Sequence, residues 1–136
     1  MSKLNHFGPI IWTVFNEIVR IYPETVTETI KYDYKKFFHD IVQFVPCKRC
    51  RDHYALKMVH TDWKHVLLSR ENISQFVIDL HNSVNARLKK KILTTEEAMI
   101  IINEPKHIPR DIIKNNLRSR LYPIIFRFNE MYPFLE

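Results

Sequence analysis

A chain of 136 residues with 46% hydrophobic and 26% charged residues has the composition of a folded domain and not of a disordered one. Its 21 Lys and Arg exceed 15 Asp and Glu, giving a net charge of +6. Most of that surplus is scattered, outside Lys48-Arg49-Arg51 and Lys89-Lys90-Lys91, so it reads mostly as a solvated face and argues against dedicated nucleic-acid binding. The single glycine, Gly8, argues against dinucleotide-binding and phosphate-loop folds, which need several glycines for close backbone approach. A nucleotide cofactor would have to be held by helices.

No apolar run approaches the ~20 residues of a bilayer span. Met1 to His6 carries no apolar core of a secretory signal, so the expected setting is neither membrane nor secretory.

In chain order, the first helix is expected from about Pro9 to Tyr22, with Ile11, Val14, Phe15, Ile18 and Tyr22 at helical spacing and Pro23 closing it. A second is expected over about Glu28–Phe44, ending before Pro46, and a third from Pro46-Cys47 to about His60. A polar link, Ser69 to Asn72, precedes a fourth helix from about Ile73 to Lys90. Thr94 and Glu97 form a capping box for a fifth helix that ends before Pro105. A last helical segment, Pro109 to Glu136, is interrupted at Pro123. No strand alternation, internal repeat or flexible linker is visible. The expected fold is all-α, a four-helix bundle with a short arrangement beside the C-x-x-C and additional C-terminal helices, in one domain over residues 1–136.

Pro46-Cys47-Lys48-Arg49-Cys50 is the strongest local signal. Two intervening residues bring both sulfurs to the first turn of a helix, where the helix dipole and the flanking cations favour thiolate. Dithiol–disulfide exchange needs such a pair. Zinc is an alternative, with His53 and His60 as further ligands, although the C-x2-C-x2-H-x6-H spacing is not a common finger. A thioredoxin-like site lacks its βαβ context, and inert buried cysteines fit poorly with basic flanks.

The fourth helix carries His81-Asn82-Ser83-Val84-Asn85-Ala86-Arg87-Leu88. At roughly 100° per residue, His81, Asn82 and Asn85 share one arc beside the apolar arc of Ile73, Phe76, Val77, Leu80, Val84 and Leu88. Taken alone, that polar strip is equally a solvent-facing strip or a ligand wall.

The C-x-x-C, the later H-N-x-V-N-x-x-L and the N-terminal Phe7-Gly8-Pro9-Ile10-Ile11-Trp12 together resemble the Erv/ALR family of FAD-linked sulfhydryl oxidases, across a core of about residues 7–91. Having one cysteine pair and no shuttle pair, the chain resembles the minimal versions of large DNA viruses. The resemblance implies a helical bundle holding FAD noncovalently, with Cys50 as the flavin-proximal sulfur and Cys47 exchanging with substrate. It implies that Gly8, Trp12, His53, His81, Asn82, Val84, Asn85, Leu88 and Lys90 line the cofactor. It further implies thiol oxidation that returns electrons to molecular oxygen as peroxide, a protein dithiol substrate presented by a thioredoxin-like or small C-x-x-C carrier, a homodimer, and a viral protein of host cytoplasm or virion. The alternative expectation is a basic zinc-stabilised helical module that binds nucleic acid or protein.

The chain departs from the family pattern at Phe7, where an aromatic indole is usual, at Asn16, where a histidine often stands, and at Lys89, where glycine is frequent. A later family tryptophan has no clear counterpart. The segment of about residues 105–136, with Leu121, Tyr122, Ile124, Ile125, Phe126, Phe128, Tyr132 and Phe134, matches nothing in the family and is expected to pack on the bundle or build an interface.

Overall fold

The computed structural model describes residues 3–45 and 47–104, with side chains from Ile11 onward except Phe44. The expected C-terminal segment from Pro109 lies outside the described residues. Six α-helices follow in order: α1 Lys3–Arg20, α2 Glu28–Asp40, α3 Lys48–His60, α4 Trp63–Val66, α5 Arg70–Arg87 and α6 Thr95–Asn103. Among the described residues there is no strand, and the all-α expectation holds.

The starts of α2 to α6 have a local chemical cause. A helix leaves its first N–H groups without internal partners, and a side-chain oxygen just upstream satisfies one of them. Thr27 Oγ1 accepts from Ile30 N at 3.2 Å for α2, and Ser69 Oγ accepts from Asn72 N at 3.1 Å for α5. At α6 the capping box is complete, with Glu97 N donating to Thr94 Oγ1 and Thr94 N donating to Glu97 Oε1, each at 3.1 Å.

The core lies where the apolar stripes of α1, α2, α3 and α5 converge. Phe15, Ile18 and Tyr22 of α1, Phe38 of α2, Met58 of α3 and Ile73 of α5 are all buried within it. Burying one such side chain contributes about 1.5–3 kcal/mol. Polar tips inside this core are matched. Tyr34 Oη donates to Ile18 O at 2.7 Å, Tyr22 Oη to Leu67 O at 2.6 Å, and Tyr54 Oη to Phe38 O at 2.6 Å. Glu17, fully buried on α1, is neutralised by Arg20 one turn on. A buried carboxylate without that partner would be strongly destabilising.

A smaller apolar cluster, Ile78, Ala98 and Ile102, with Leu93 and Met99 against it, joins α6 to α5. α6 also packs on α1. The link between α5 and α6 is therefore folded back on the bundle.

The helix boundaries correct several expectations. α1 begins at Lys3 and runs through Pro9; packing of the helix on α5 and α6 offsets the hydrogen bond and the steric fit that an interior proline costs. The second helix is α-helical only to Asp40, and Ile41–Phe44 tightens into a 3-10 turn before Pro46. The expected link at Ser69 to Asn72 is the N-cap and first turn of α5. The fourth helix of the sequence reading ends at Arg87 and not Lys90, and the four-residue α4 was not foreseen.

Candidate functional site at the α3 N-terminus and the end of α5

Cys47 is the N-cap residue of α3. Its extended backbone turns the sulfur back over the helix start, where it accepts the Cys50 amide N–H at 3.4 Å. Both cysteines are free thiols in this structure and both are half-buried. Their environments differ. Cys50 packs against the apolar core, whereas Cys47 lies at the helix start.

That difference separates their acidities. The Cys50 thiol donates to Cys47, the amides of Cys50 and Arg49 add hydrogen bonds, and together they pull the Cys47 pKa below the ordinary thiol value. Burial first, then its role as donor to Cys47, pushes the Cys50 thiol up. In the reduced pair Cys47 is therefore the more acidic thiol. Arg87 of α5 approaches from across the bundle and favours the ionised form of both sulfurs.

Of the nearby cations of α3, Arg49 is exposed and two are engaged elsewhere. Lys48 pairs with Asp52 at 2.9 Å, and the Arg51 guanidinium donates to Val45 O at 2.9 Å. Charge-based sequence reasoning credits these neighbours with tuning the pair; the cation that acts on both sulfurs comes from α5. Arg87 was present in the sequence motif, yet no local pattern separates it from an ordinary exposed helix arginine.

The last turns of α5 form a graded surface. By helical register, Val84 and Leu88 lie between Arg87 on one side and His81 with Asn85 on the other. Val84 is half-buried and Leu88 is 41% exposed, so an apolar strip runs from the cysteine side to the His81 side. His81 stacks on Trp12 of α1, with ring centroids 4.0 Å apart and planes 10° from parallel. Asn16, one turn beyond Trp12, lies on the same wall with His81 and Asn82. Burial and the nearby Lys90 charge lower the His81 pKa and favour its neutral ring.

Asn82 has a different use from the one its spacing suggests. Its Nδ2 donates to Leu93 O at 2.8 Å, and its Oδ1 accepts from Leu93 N at 2.9 Å and from Asn85 Nδ2 at 3.4 Å. An amide offers two donors and two acceptor lone pairs, so one N–H is left for a ligand. Asn82 is foremost the clamp that fixes the α5–α6 link.

The helix end itself is a complete Schellman turn. Lys90 N donates to Asn85 O at 2.8 Å, Lys89 N donates to Ala86 O at 3.2 Å, and Lys89 has φ 57°. This left-handed backbone favours glycine, which accounts physically for the family's frequent glycine at this place. Lys90 and Leu88 are thereby turned outward at the end of α5.

The expected site residues divide accordingly. Cys47 and Cys50 stand at the start of α3, Val84 and Leu88 lie with Arg87 at the end of α5, and Trp12, His81, Asn82 and Asn85 form the adjoining wall. Gly8 lies in α1 upstream of Trp12. His53 is exposed on α3, one turn past Cys50, and Lys90 is exposed beyond the Schellman turn. His60 is also exposed, and among the described residues no three His, Cys, Asp or Glu side chains come together as a metal site requires. The zinc alternative has no support.

A model of the Erv1 / Alr family matches residues 9–103. This chain belongs to the Erv1/Alr family. It is 40% identical over 96 residues to a probable FAD-linked sulfhydryl oxidase of Acanthamoeba polyphaga mimivirus, covering 68% of this chain and 66% of that protein. It is 26% identical over 96 residues to the mitochondrial FAD-linked sulfhydryl oxidase erv1 of Schizosaccharomyces pombe, covering 71% and 53%. The chain thus spans between about half and just under two thirds of these relatives' lengths. The crystal structure of the yeast Erv1 core has the same fold, with a TM-score of 0.69 at 20% identity, covering 78% of this chain and 88% of that one. The Erv1/Alr match spans α2 to α6 and all of α1 beyond Gly8, so every element of the site lies inside it except Gly8.

The wall's chemistry suits a flat conjugated ring carrying phosphates. It offers aromatic faces, an apolar strip beside the cysteines, amide edges and the cations Arg87 and Lys90. Since Trp12 and His81 are already in face-to-face contact, such a ring fits against an outer face of the pair or requires the pair to part.

Proposed function

We propose that this chain is an FAD-dependent thiol oxidase that forms disulfide bonds in protein dithiols, with molecular oxygen as final acceptor and hydrogen peroxide as product. The observation that carries this reading is the asymmetric cysteine pair. One sulfur caps a helix, where hydrogen bonds lower its pKa, and the other is set against the core.

The chain's own residues act in two exchange steps. A substrate thiolate attacks Cys47 Sγ of the oxidised pair, the Cys47–Cys50 bond breaks, and Cys50 leaves with the electron pair. The second substrate thiolate then attacks the substrate sulfur of the mixed disulfide, and Cys47 leaves as thiolate. The hydrogen bonds at the α3 N-terminus, which lower the Cys47 pKa, make it a good leaving group in this second step. Bound FAD supplies the two-electron acceptor that reoxidises the pair and passes electrons to oxygen. Trp12, His81, Val84, Asn85 and Leu88 would hold its ring, with Gly8 allowing close approach, His53 and the free N–H of Asn82 at its edges, and Lys90 near its phosphates.

Within this reading the immediate substrate is a thioredoxin-like or small C-x-x-C carrier, because the chain has only two cysteines and thus no second pair to relay electrons. The same reading includes a homodimer and a viral protein of host cytoplasm or virion. No helix among the described residues is long and apolar enough to cross a membrane. A visible spectrum of the purified protein, followed by oxygen uptake with a small dithiol, tests the core of the proposal. A yellow protein that consumes oxygen is expected; a colourless protein inert after FAD addition overturns it.

A further inference from the structure

Cys47 can cap α3 only if the chain enters the helix at the right angle. An N-cap residue needs extended backbone, which Cys47 has at φ −102° and ψ 122°. Its acceptor must also lie over the N–H three residues on, and here that acceptor is a sulfur, 3.4 Å from the Cys50 amide nitrogen. A thiol sulfur is a weak acceptor and a thiolate a stronger one, so in the protonated thiol this contact does little to hold the entry angle. Pro46, immediately before it, has no N–H to add. Something else must fix the entry.

Arg51 is bonded to both flanks of that proline. Its backbone N–H donates to Cys47 O at 2.8 Å, which closes the opening turn of α3. Its guanidinium reaches back farther and donates to Val45 O at 2.9 Å. Val45 is a firm anchor, because it is buried in the core and its own N–H donates to Val42 O at 3.1 Å. Farther along α3, Tyr54 Oη donates to Phe38 O at 2.6 Å and fastens the body of the helix to α2. Tyr54 therefore places the helix, and Arg51 places the way the chain enters it.

We propose that Arg51 is a positioning residue for thiol exchange: by holding Val45 O it keeps the Cys47 sulfur over the Cys50 amide. The step it serves is release of the oxidised substrate. A substrate thiolate bonds to the substrate sulfur of the mixed disulfide, the bond to Cys47 breaks, and the electron pair stays on Cys47 Sγ, facing that amide. No proton is transferred in this step. Arg51 acts through the backbone and not through its charge, since its guanidinium is committed to a carbonyl. The inference deepens the thiol-oxidase reading and rests on it for its catalytic meaning.

The test uses the full chain with Cys50→Ala, which leaves Cys47 as its single thiol while residue 50 keeps its backbone N–H. The rate of Cys47 alkylation by iodoacetamide is measured against pH in this background and with Arg51→Met added. Methionine keeps an apolar stem and removes the donor, and circular dichroism establishes folding of each protein. Losing the tie is expected to raise the alkylation midpoint by about half to one pH unit, leaving roughly three- to tenfold less thiolate below both midpoints. The shift is expected to persist in about 1 M salt, where charges are screened beyond ~3 Å. Amide hydrogen exchange is expected to quicken at residue 50 and to stay unchanged at Met58 and Val59. An unchanged midpoint overturns the proposal. So does a shift that vanishes in high salt, which would make Arg51 a charge acting through space. Exchange that quickens evenly along α3 overturns it too, as the mark of a merely weakened helix. Should Arg51→Met not fold, Arg51→Gln, with its shorter neutral side chain, is read by the same outcomes. The measurement needs no flavin turnover, so a colourless, inactive protein would sink the oxidase reading while leaving this result readable.

Discussion

The ring of His81 lies flat on Trp12, 4.0 Å between centroids, and this contact binds α5 to α1 at the head of the proposed cofactor wall. It also makes the wall sensitive to pH. Burial, then the Lys90 charge, holds the His81 pKa below its ordinary value of 6.5. The folded protein thus keeps the ring neutral at a pH where the unfolded chain takes up a proton. Stability from this residue is fully present above 6.5 and is lost as pH falls from there through the lower folded value.

Thermal unfolding followed between pH 8 and pH 5 should therefore show a melting temperature that drops on acidification. His81→Phe retains an aromatic partner for Trp12 but cannot be protonated. Its melting temperature should fall less steeply over the same range, and parallel curves for the two proteins would contradict the account.

At the other end of the same strip, Lys89 holds a left-handed backbone with φ 57°. A side chain with a Cβ is disfavoured there, whereas glycine is not. Lys89→Gly should stabilise the chain by up to about 1 kcal/mol, read as a higher urea midpoint with an unchanged slope. Lys89→Val, branched at Cβ, should do the reverse.

Asn82 offers a test of structure against ligand binding. Its amide makes both backbone hydrogen bonds that Leu93 can offer, at 2.8 and 2.9 Å. Asn82→Ala leaves a half-buried peptide unit without its partners, which costs about 1–3 kcal/mol. Amide hydrogen exchange should rise across the α5–α6 link and α6, with the core of α1 and α2 unaffected. Loss of flavin without any loss of stability would instead make Asn82 a ligand residue first.

These cases show where the sequence was readable. The apolar spacing of Ile11, Val14, Phe15, Ile18 and Tyr22, and the Thr94–Glu97 capping box, depend on neighbours within one helical turn, so the helices they define were legible. The C-x-x-C was legible for the same reason. The clamp role of Asn82 was not, because its partner Leu93 lies in the α5–α6 link and only the folding of that link brings the two together. Trp12 stood out as an aromatic platform, but its own stacking partner, His81, is equally remote along the chain. Boundaries slipped where a single residue competes with the helix: Lys89 with its left-handed backbone ended α5 early, and Ser69 as cap began it earlier than the apolar pattern suggested.

The asymmetry of the cysteine pair gives the last prediction. In the reduced chain Cys47 is the more acidic thiol, held by the hydrogen bonds from Cys50 and the helix N-terminus, while burial raises Cys50. Because only thiolate reacts, a limiting amount of iodoacetamide at neutral pH should modify Cys47 first, with peptide mapping by mass spectrometry as the readout. Cys47→Ser should then abolish dithiol oxidation yet leave the flavin bound, and the remaining Cys50 thiolate beside the ring should give a long-wavelength charge-transfer band. Cys50→Ala, mixed with a substrate in its disulfide form, should be trapped as a mixed disulfide: the Cys47 thiolate attacks one substrate sulfur, the other leaves as thiolate, and no internal thiol remains to release the substrate. Preferential labelling of Cys50, or full oxidase activity in Cys47→Ser, would reverse the roles assigned to the two sulfurs.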